Sequence, residues 1–316
     1  MTESSAPRVL VFAYHDVGYE CLELLLARRA NVVAVVTHAD DPGENVWFKS
    51  VPALARQKQF PVHTPADVNT PEWKTRLRAL RPDLIFSFYY RNMISTEILD
   101  LARLGAYNMH GSLLPKYRGR APVNWAVLRG ETRTGATLHV MVKRPDAGDI
   151  VDQEPVAIGK ADTARDVFDK VTRAARQVLA RQLDNLLAGR APRVPQDESQ
   201  ATYFGRRRPE DGRIDWRERS ETIFNLVRAV THPYPGAFTE LNGKRFIVWW
   251  AEPDAHTAGR PGEVIGVEPL RIATGDGCLE VKEWQWQGGT PTRGGGHGIA
   301  AGAVMGLSKE GVIDVA

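Results

Sequence analysis

Only two cysteines, Cys21 and Cys278, occur in 316 residues, and their separation excludes a Cys-rich metal site or a disulfide framework. A reducing, cytoplasmic setting fits that usage. No window approaches the roughly eighteen consecutive apolar residues that cross a bilayer. The opening Thr2-Glu3-Ser4-Ser5-Ala6-Pro7 lacks the basic start and apolar middle of an export leader. Membrane insertion is therefore not expected. Charge of one sign is also scarce, since 41 Lys and Arg stand against 38 Asp and Glu. So small an excess does not announce a nucleic-acid partner. The remaining histidines form no ligand-like spacing with Cys or carboxylates, so no metal is called for. No repeat of fixed period is visible.

What is present is enough apolar residue, 43% of the chain, for two cores, and the length suits two domains. Val9–Ala13 is a continuous apolar run, read as a strand covered on both faces. A helix over Glu20–Ala27 and a strand over Asn31–Val36 complete a βαβ unit. The turn between, Tyr14-His15-Asp16-Val17-Gly18, sits where a dinucleotide fingerprint belongs but carries one glycine where three are needed. NAD is not expected. His15 and Asp16 either touch a ligand at the sheet edge or serve the turn, with Asp16 as a helix cap.

The alternation continues with helices near 51–58 and 71–80 and strands at 62–63 and 84–88. A helix over 96–103 and a strand ending in Asn108-Met109-His110 follow. Further on come a helix at 123–128, strands over 136–142 and 150–158, and a long amphipathic helix over 164–187. Residues 189–200, with two prolines and little apolar content, have linker composition. We place the domains at 1–200 and 201–316, a parallel α/β domain followed by a small β-barrel built from strands near 246–250, 271–273 and 279–281, with a helix at 220–230. Gly294-Gly295-Gly296-His297-Gly298 reads as a hairpin tip with His297 in solvent.

Two loops carry the chemistry. Asn108 and His110, two apart on a strand, share a face, and Gly111, Ser112 and Pro115 turn the following chain into an ordered wall. A second loop, Lys143 to Asp149, holds Asp146. An acyl transfer without a nucleophilic side chain needs the electrophile held against an amine, donors for the oxyanion and a group to move a proton. Asn108 supplies a neutral donor. His110 can donate to the oxyanion and manage the proton, and Asp146 can orient its ring. Each residue taken alone also serves ordinary capping, turn and core roles. Ser112 lacks the small-residue elbow of a serine hydrolase.

Asn108-x-His110-Gly-Ser-Leu-Leu-Pro, then Lys-Tyr-Arg-Gly, then Asp146-Ala-Gly-Asp together resemble the folate-dependent formyltransferases. Phe12-Ala-Tyr-His-Asp, Ser87-Phe-Tyr-Tyr-Arg and Tyr203-Phe-Gly-Arg-Arg are most similar to the branch acting on UDP-4-amino-4-deoxy-L-arabinose in lipid A modification and polymyxin resistance. The resemblance implies a Rossmann-like catalytic domain and an OB-like barrel. It implies 10-formyltetrahydrofolate as donor, a nucleotide-sugar acceptor and the trio Asn108, His110 and Asp146, with Asp146 raising the pKa of His110. It further implies a folate pocket of Asn92, Met93, Ile94 and Arg120 with Val142, Lys143, Arg144 and Pro145. Bifunctional relatives continue into an NAD-dependent decarboxylase; here, to Ala316, formyl transfer alone is expected. A homo-oligomer is compatible with such a chain.

Three rival readings stand beside this one: a methionyl-tRNA formyltransferase, another nucleotide-amino-sugar N-formyltransferase, and a folate- or nucleotide-binding regulator without catalysis. The stretch His38-Ala39-Asp40-Asp41-Pro42-Gly43-Glu44 places carboxylates where a tRNA enzyme presents cations. Arg206-Arg207-Arg208 suits either a diphosphate or plain solvent exposure. Retention of all three polar groups of the trio argues against a regulator.

Overall fold

Val9, Leu10, Val11, Phe12 and Ala13 are wholly excluded from solvent, each larger side chain contributing about 1.5–3 kcal/mol of burial. They form strand β1 (Arg8–Ala13) in the interior of a seven-stranded sheet. The structure is a computed structural model and describes residues 6–254 and 259–306. The other strands are β2 (Asn31–Val36), β3 (Val62–His63), β4 (Leu84–Phe88), β5 (Ala106–His110), β7 (Arg133–Val140) and β8 (Ile150–Ala157), in the order β3-β2-β1-β4-β5-β7-β8. A short β6 (Arg118–Gly119) pairs elsewhere.

Pairing is parallel from β3 to β5. It turns antiparallel at β5–β7 and β7–β8. The sheet is therefore mixed, not parallel throughout. Only residues 141–149 join β7 to β8, too few for the crossover that a parallel return requires. On one face Leu10 and Phe12 pack with Ala34, Val36, Ile85, Ile98 and Ala106 into a single core.

Helix α1 spans His15–Ala27 and starts directly off β1, five residues earlier than the apolar pattern suggests. Gly18 permits this, because a Cβ there would lie 3.1 Å from the Phe88 carbonyl oxygen and 3.2 Å from Ala13. The one glycine of that turn thus serves close packing. Asp16 does not cap the helix; its Oδ1 accepts the Lys49 N–H at 2.9 Å. Helices α2 (Val51–Gln57) and α3 (Pro71–Ala79) each carry a side-chain N-cap, Ser50 and Thr70. Helix α4 stops at Leu99 after Thr96, and i→i−3 bonds at Leu101 and Ala102 turn the chain instead toward β5. Helices α5 (Pro122–Leu128) and α6 (Ala164–Leu187) complete this stretch.

The 189–200 segment is fixed despite its composition. Val194 exchanges both backbone bonds with Ile150, at 2.8 and 2.9 Å. Strand β9 (Tyr203–Phe204) then pairs in parallel with β6. The smaller sheet runs β10 (Ala237–Leu241), β11 (Lys244–Asp254), β14 (Cys278–Trp286), β13 (Leu270–Ala273), β12 (Val264–Val267), with β15 (Thr292–Arg293) on β14. All these pairs are antiparallel. Asn242 and Gly243, both at positive φ, make the β10–β11 hairpin turn. Helix α7 (Ser220–Val230) packs on this sheet.

The chain divides into two compact units. One comprises residues 1–122, 133–157 and 168–205; the other comprises 123–132, 158–167 and 206–316.

Candidate active site

In strand β5 the alternation puts Asn108 and His110 on one face, and the antiparallel register sets His139 of β7 directly beside Asn108. His139 Nδ1 donates to the Val140 carbonyl at 2.9 Å, which leaves Nε2 to accept from Asn108 Nδ2 at 3.1 Å. Sequence reasoning does not single out His139. The available signal was a polar side chain in the middle of a buried strand.

His110 is buried, and its Nε2 donates to the Tyr117 carbonyl at 2.8 Å. That proton is therefore committed to the wall, and Asn108 remains as the side-chain donor facing outward. Nδ1 of His110 turns instead to Asp146 Oδ1, 3.6 Å away. The same oxygen lies 3.5 Å from His139 Nε2, while Oδ2 accepts the Gly119 N–H at 2.9 Å. Burial opposes charge on Asp146, but His110 and then His139, each when its ring carries a proton toward the carboxylate, and the Gly119 N–H outweigh it. Together they hold the carboxyl well below the usual range. A proton arriving at His110 Nδ1 thus meets a carboxylate.

The wall after His110 is ordered, as its composition suggests. Thr137 Oγ1 donates to the Ser112 carbonyl at 2.6 Å and accepts the Leu114 N–H at 3.1 Å. Ser112 spends its own hydroxyl on the Lys116 carbonyl, which agrees with a non-nucleophilic serine.

A cavity of about 300 Å³ is lined by Asn69, Met93, Ile94, Ser95, Thr96 and Lys143. It joins Met93, Ile94 and Lys143 of the expected pocket, with Met93 and Val142 unusually exposed for apolar side chains. Asn92, Arg120, Val142, Arg144 and Pro145 do not line it. Arg144 pairs with Glu198 at 3.0 Å, and Asn92 Nδ2 reaches the Ala66 carbonyl at 3.4 Å. Asn69, which carries no sequence signal, pins the loop by donating to the Met93 carbonyl and accepting the Ser95 N–H.

The 89–94 loop is clamped by residues 38–44. Arg91 makes a two-pronged ion pair with Glu44, at 2.7 and 2.6 Å, and lies over the Tyr14 ring. Tyr14 donates to Asp40. His38 stacks on Tyr90 at 4.2 Å, and its Nε2 accepts the Arg91 N–H at 3.0 Å. Burial, then the Arg91 charge, push the His38 pKa down to about 4. Only the neutral ring can accept that N–H.

The unfolded chain therefore binds a proton at His38 more readily than the folded one, and this group's support for the fold falls as pH drops from about 6.5 toward 4. Denaturant titrations across that window are expected to show a shallower pH slope in His38→Asn than in the wild type. Equal slopes would reject the clamp.

His15 is enclosed by aromatic rings, stacked on Phe48 at 4.0 Å and edge-on to Trp47 and Phe168. Arg207 lies over Trp125 and donates to the Asp211 carbonyl. His297 is exposed, but residues 294–298 are not a hairpin tip: they follow β15, and the β14–β15 hairpin turns at residues 287–291. Among the described residues no helix is long and apolar enough to cross a membrane.

A family model described as "Formyl transferase" matches residues 10–183, and one described as "Formyl transferase, C-terminal domain" matches residues 207–295. Among solved structures, an N-formyltransferase from Helicobacter canadensis in complex with folinic acid and dTDP-3-aminofucose superposes with a TM-score of 0.68 at 22% identity, covering 86% of this chain and 97% of that one. WlaRD, a sugar 3N-formyltransferase in the presence of dTDP and 5-N-formyl-THF, gives 0.68 at 19% identity, over 90% and 98%. HypX from Aquifex aeolicus gives 0.63 at 21% identity over 92% of this chain, which spans 46% of the HypX length. At such identities these structures share the fold.

Proposed function

The chain belongs to the formyl transferase family, and from that premise we propose that it transfers the formyl group of 10-formyltetrahydrofolate to the amino group of a nucleotide-linked sugar, with UDP-4-amino-4-deoxy-L-arabinose as the acceptor its motifs favour. Asn108, His110 and Asp146 carry the chemistry. The observation behind this reading is their convergence: an amide, an imidazole and a carboxylate on one patch of strand edge, with the amide pinned by His139.

The cavity beside Met93, Ile94 and Lys143 suits a flat ring with polar edges, offering apolar surface, the side chains of Ser95 and Thr96 and one cation. The donor, when bound, supplies an electrophilic formyl carbon. The chain's own residues do the rest. Asn108 has one amide hydrogen on His139 and a second for the oxygen that gains charge as the amine adds. His110 Nδ1 takes the proton the amine must lose, and Asp146 Oδ1 stabilises the cation so formed. The same proton then goes to the departing nitrogen.

A sugar nucleotide is favoured over tRNA by the loop after β2. Asp40, Asp41 and Glu44 lie there, and Glu44 neutralises Arg91, so the loop presents carboxylates to a polyanion. The N-formyltransferase crystallised with folinic acid and dTDP-3-aminofucose and the sugar 3N-formyltransferase crystallised with dTDP and 5-N-formyl-THF are in keeping with a sugar nucleotide, although a methionyl-tRNA formyltransferase from Clostridium thermocellum shares the fold as well.

Purified protein given 10-formyltetrahydrofolate is expected to release tetrahydrofolate with UDP-4-amino-4-deoxy-L-arabinose and not with charged initiator tRNA. Turnover with a dTDP-linked amino sugar alone would keep the class and reject the arabinose derivative. Turnover with the tRNA alone would reject both.

A further inference from the structure

We propose that Gln196, fifty residues away in sequence, is a positioning residue that sets Asp146 against His110; this rests on the reading of Asp146 as catalytic. Its Nε2 donates to the Asp146 carbonyl at 2.8 Å and to the Gly148 carbonyl at 2.7 Å. Its Oε1 accepts from Arg118 Nε at 3.1 Å and Nη2 at 2.7 Å. The amide orientation is unambiguous, because a guanidinium only donates and a carbonyl only accepts. Every hydrogen-bonding atom of the side chain is used.

Asp146 needs outside support. It sits at φ 56°, a left-handed backbone that a non-glycine residue adopts only when its surroundings impose it. Gln196 grips the carbonyls on both sides of Ala147, while the Gly119 N–H holds the carboxylate. Arg118 supplies the anchor. Its side chain is fully buried, and its far side donates to Glu198 at 2.6 and 3.1 Å and to the Tyr203 hydroxyl.

The same arginine belongs to the wall that holds His110. Its backbone N–H donates to the Thr202 carbonyl at 2.9 Å, and the preceding Tyr117 carbonyl receives the His110 proton. Tyr117 stacks on Phe204 at 4.9 Å and donates its N–H to Thr202 Oγ1. Residues 196–204 therefore tie both loops to one strap. The separation between His110 Nδ1 and Asp146 Oδ1 is set by it, with Gln196 as the link on the Asp146 side.

Gln196→Glu isolates the claim. The carboxylate keeps the length and the acceptor for Arg118, and cannot donate to either carbonyl. The expected result is a fall in kcat of about 10- to 100-fold, with KM for donor and acceptor within about twofold. Added to Asp146→Asn, it should cause no further loss. Gln196→Met, uncharged and of the same length, is read identically if the glutamate variant misfolds. Near wild-type kcat in Gln196→Glu beside an inactive Asp146→Asn would overturn the inference alone, as would losses that multiply in the double variant. Undiminished turnover in Asp146→Asn would overturn the catalytic reading, and this inference with it.

Discussion

His110→Ala is expected to lower kcat by about 10²- to 10⁴-fold, the range for removing a proton-handling group, while the affinity for the folate donor stays near that of the wild type. The two halves of this expectation come from different parts of the site. His110 Nδ1 faces Asp146 at 3.6 Å, so its loss removes both the proton acceptor and the ion pair that would stabilise the protonated ring. The cavity proposed for the donor is lined by Asn69, Met93, Ile94, Ser95, Thr96 and Lys143, none of which depends on His110. Single-turnover formyl transfer with titration of folate binding separates the two. Turnover near wild type would remove His110 from the mechanism.

Gly119→Ala should produce a large loss of stability. Gly119 lies at φ 102°, and a Cβ there would stand 2.2 Å from the Phe204 carbonyl oxygen, a backbone atom that cannot rotate away. β6 and β9 must separate, which sacrifices the Arg120 N–H bond to that oxygen and the Gly119 N–H bond to Asp146. Strain and lost hydrogen bonds together cost about 3 kcal/mol, or roughly 6–12 °C of melting temperature for a domain of this size. Gly205→Ala is the control, since a Cβ there meets nothing within 4 Å. Equal melting of the two variants by calorimetry would show that the β6–β9 pairing carries no weight.

Much of the fold is legible in the sequence because its periodicities are strong. Helices α6 and α7 and strands β1, β2 and β4 are bounded by clear changes of apolar pattern. The reversal at β7 and β8 is a matter of connection length rather than composition, and periodicity is blind to strand direction. Asn108, His110 and Asp146 stand out as polar residues where a buried edge gives way to glycine and proline. His139 lies in a strand that is equally legible, and only the register beside Asn108 turns it from core residue into partner. Asn69 and Gln196 had no local signal at all: the bonds by which they hold the two loops span 24 to 50 residues, and their amide nitrogens donate to backbone carbonyls, which any sequence supplies. Residues 189–200 read as a linker because prolines and charges dominate them, yet those charges and amides are the groups that bind Arg118 and Asp146.

The second unit takes two short pieces from within the span of the first family model, residues 123–132 and 158–167. Asn124 from one piece donates to the Ala229 carbonyl, and the Asp162 carbonyl from the other receives the buried Arg228 guanidinium. A polypeptide cut to begin at residue 206 would possess every strand of the smaller sheet and still lack both of these partners. Arg228 would then keep only the Asn225 side chain on its ε nitrogen, leaving a buried cation short of an acceptor. In assembly terms the chain is interlaced rather than modular: exchange of the smaller sheet between relatives has to carry three segments of sequence, not one.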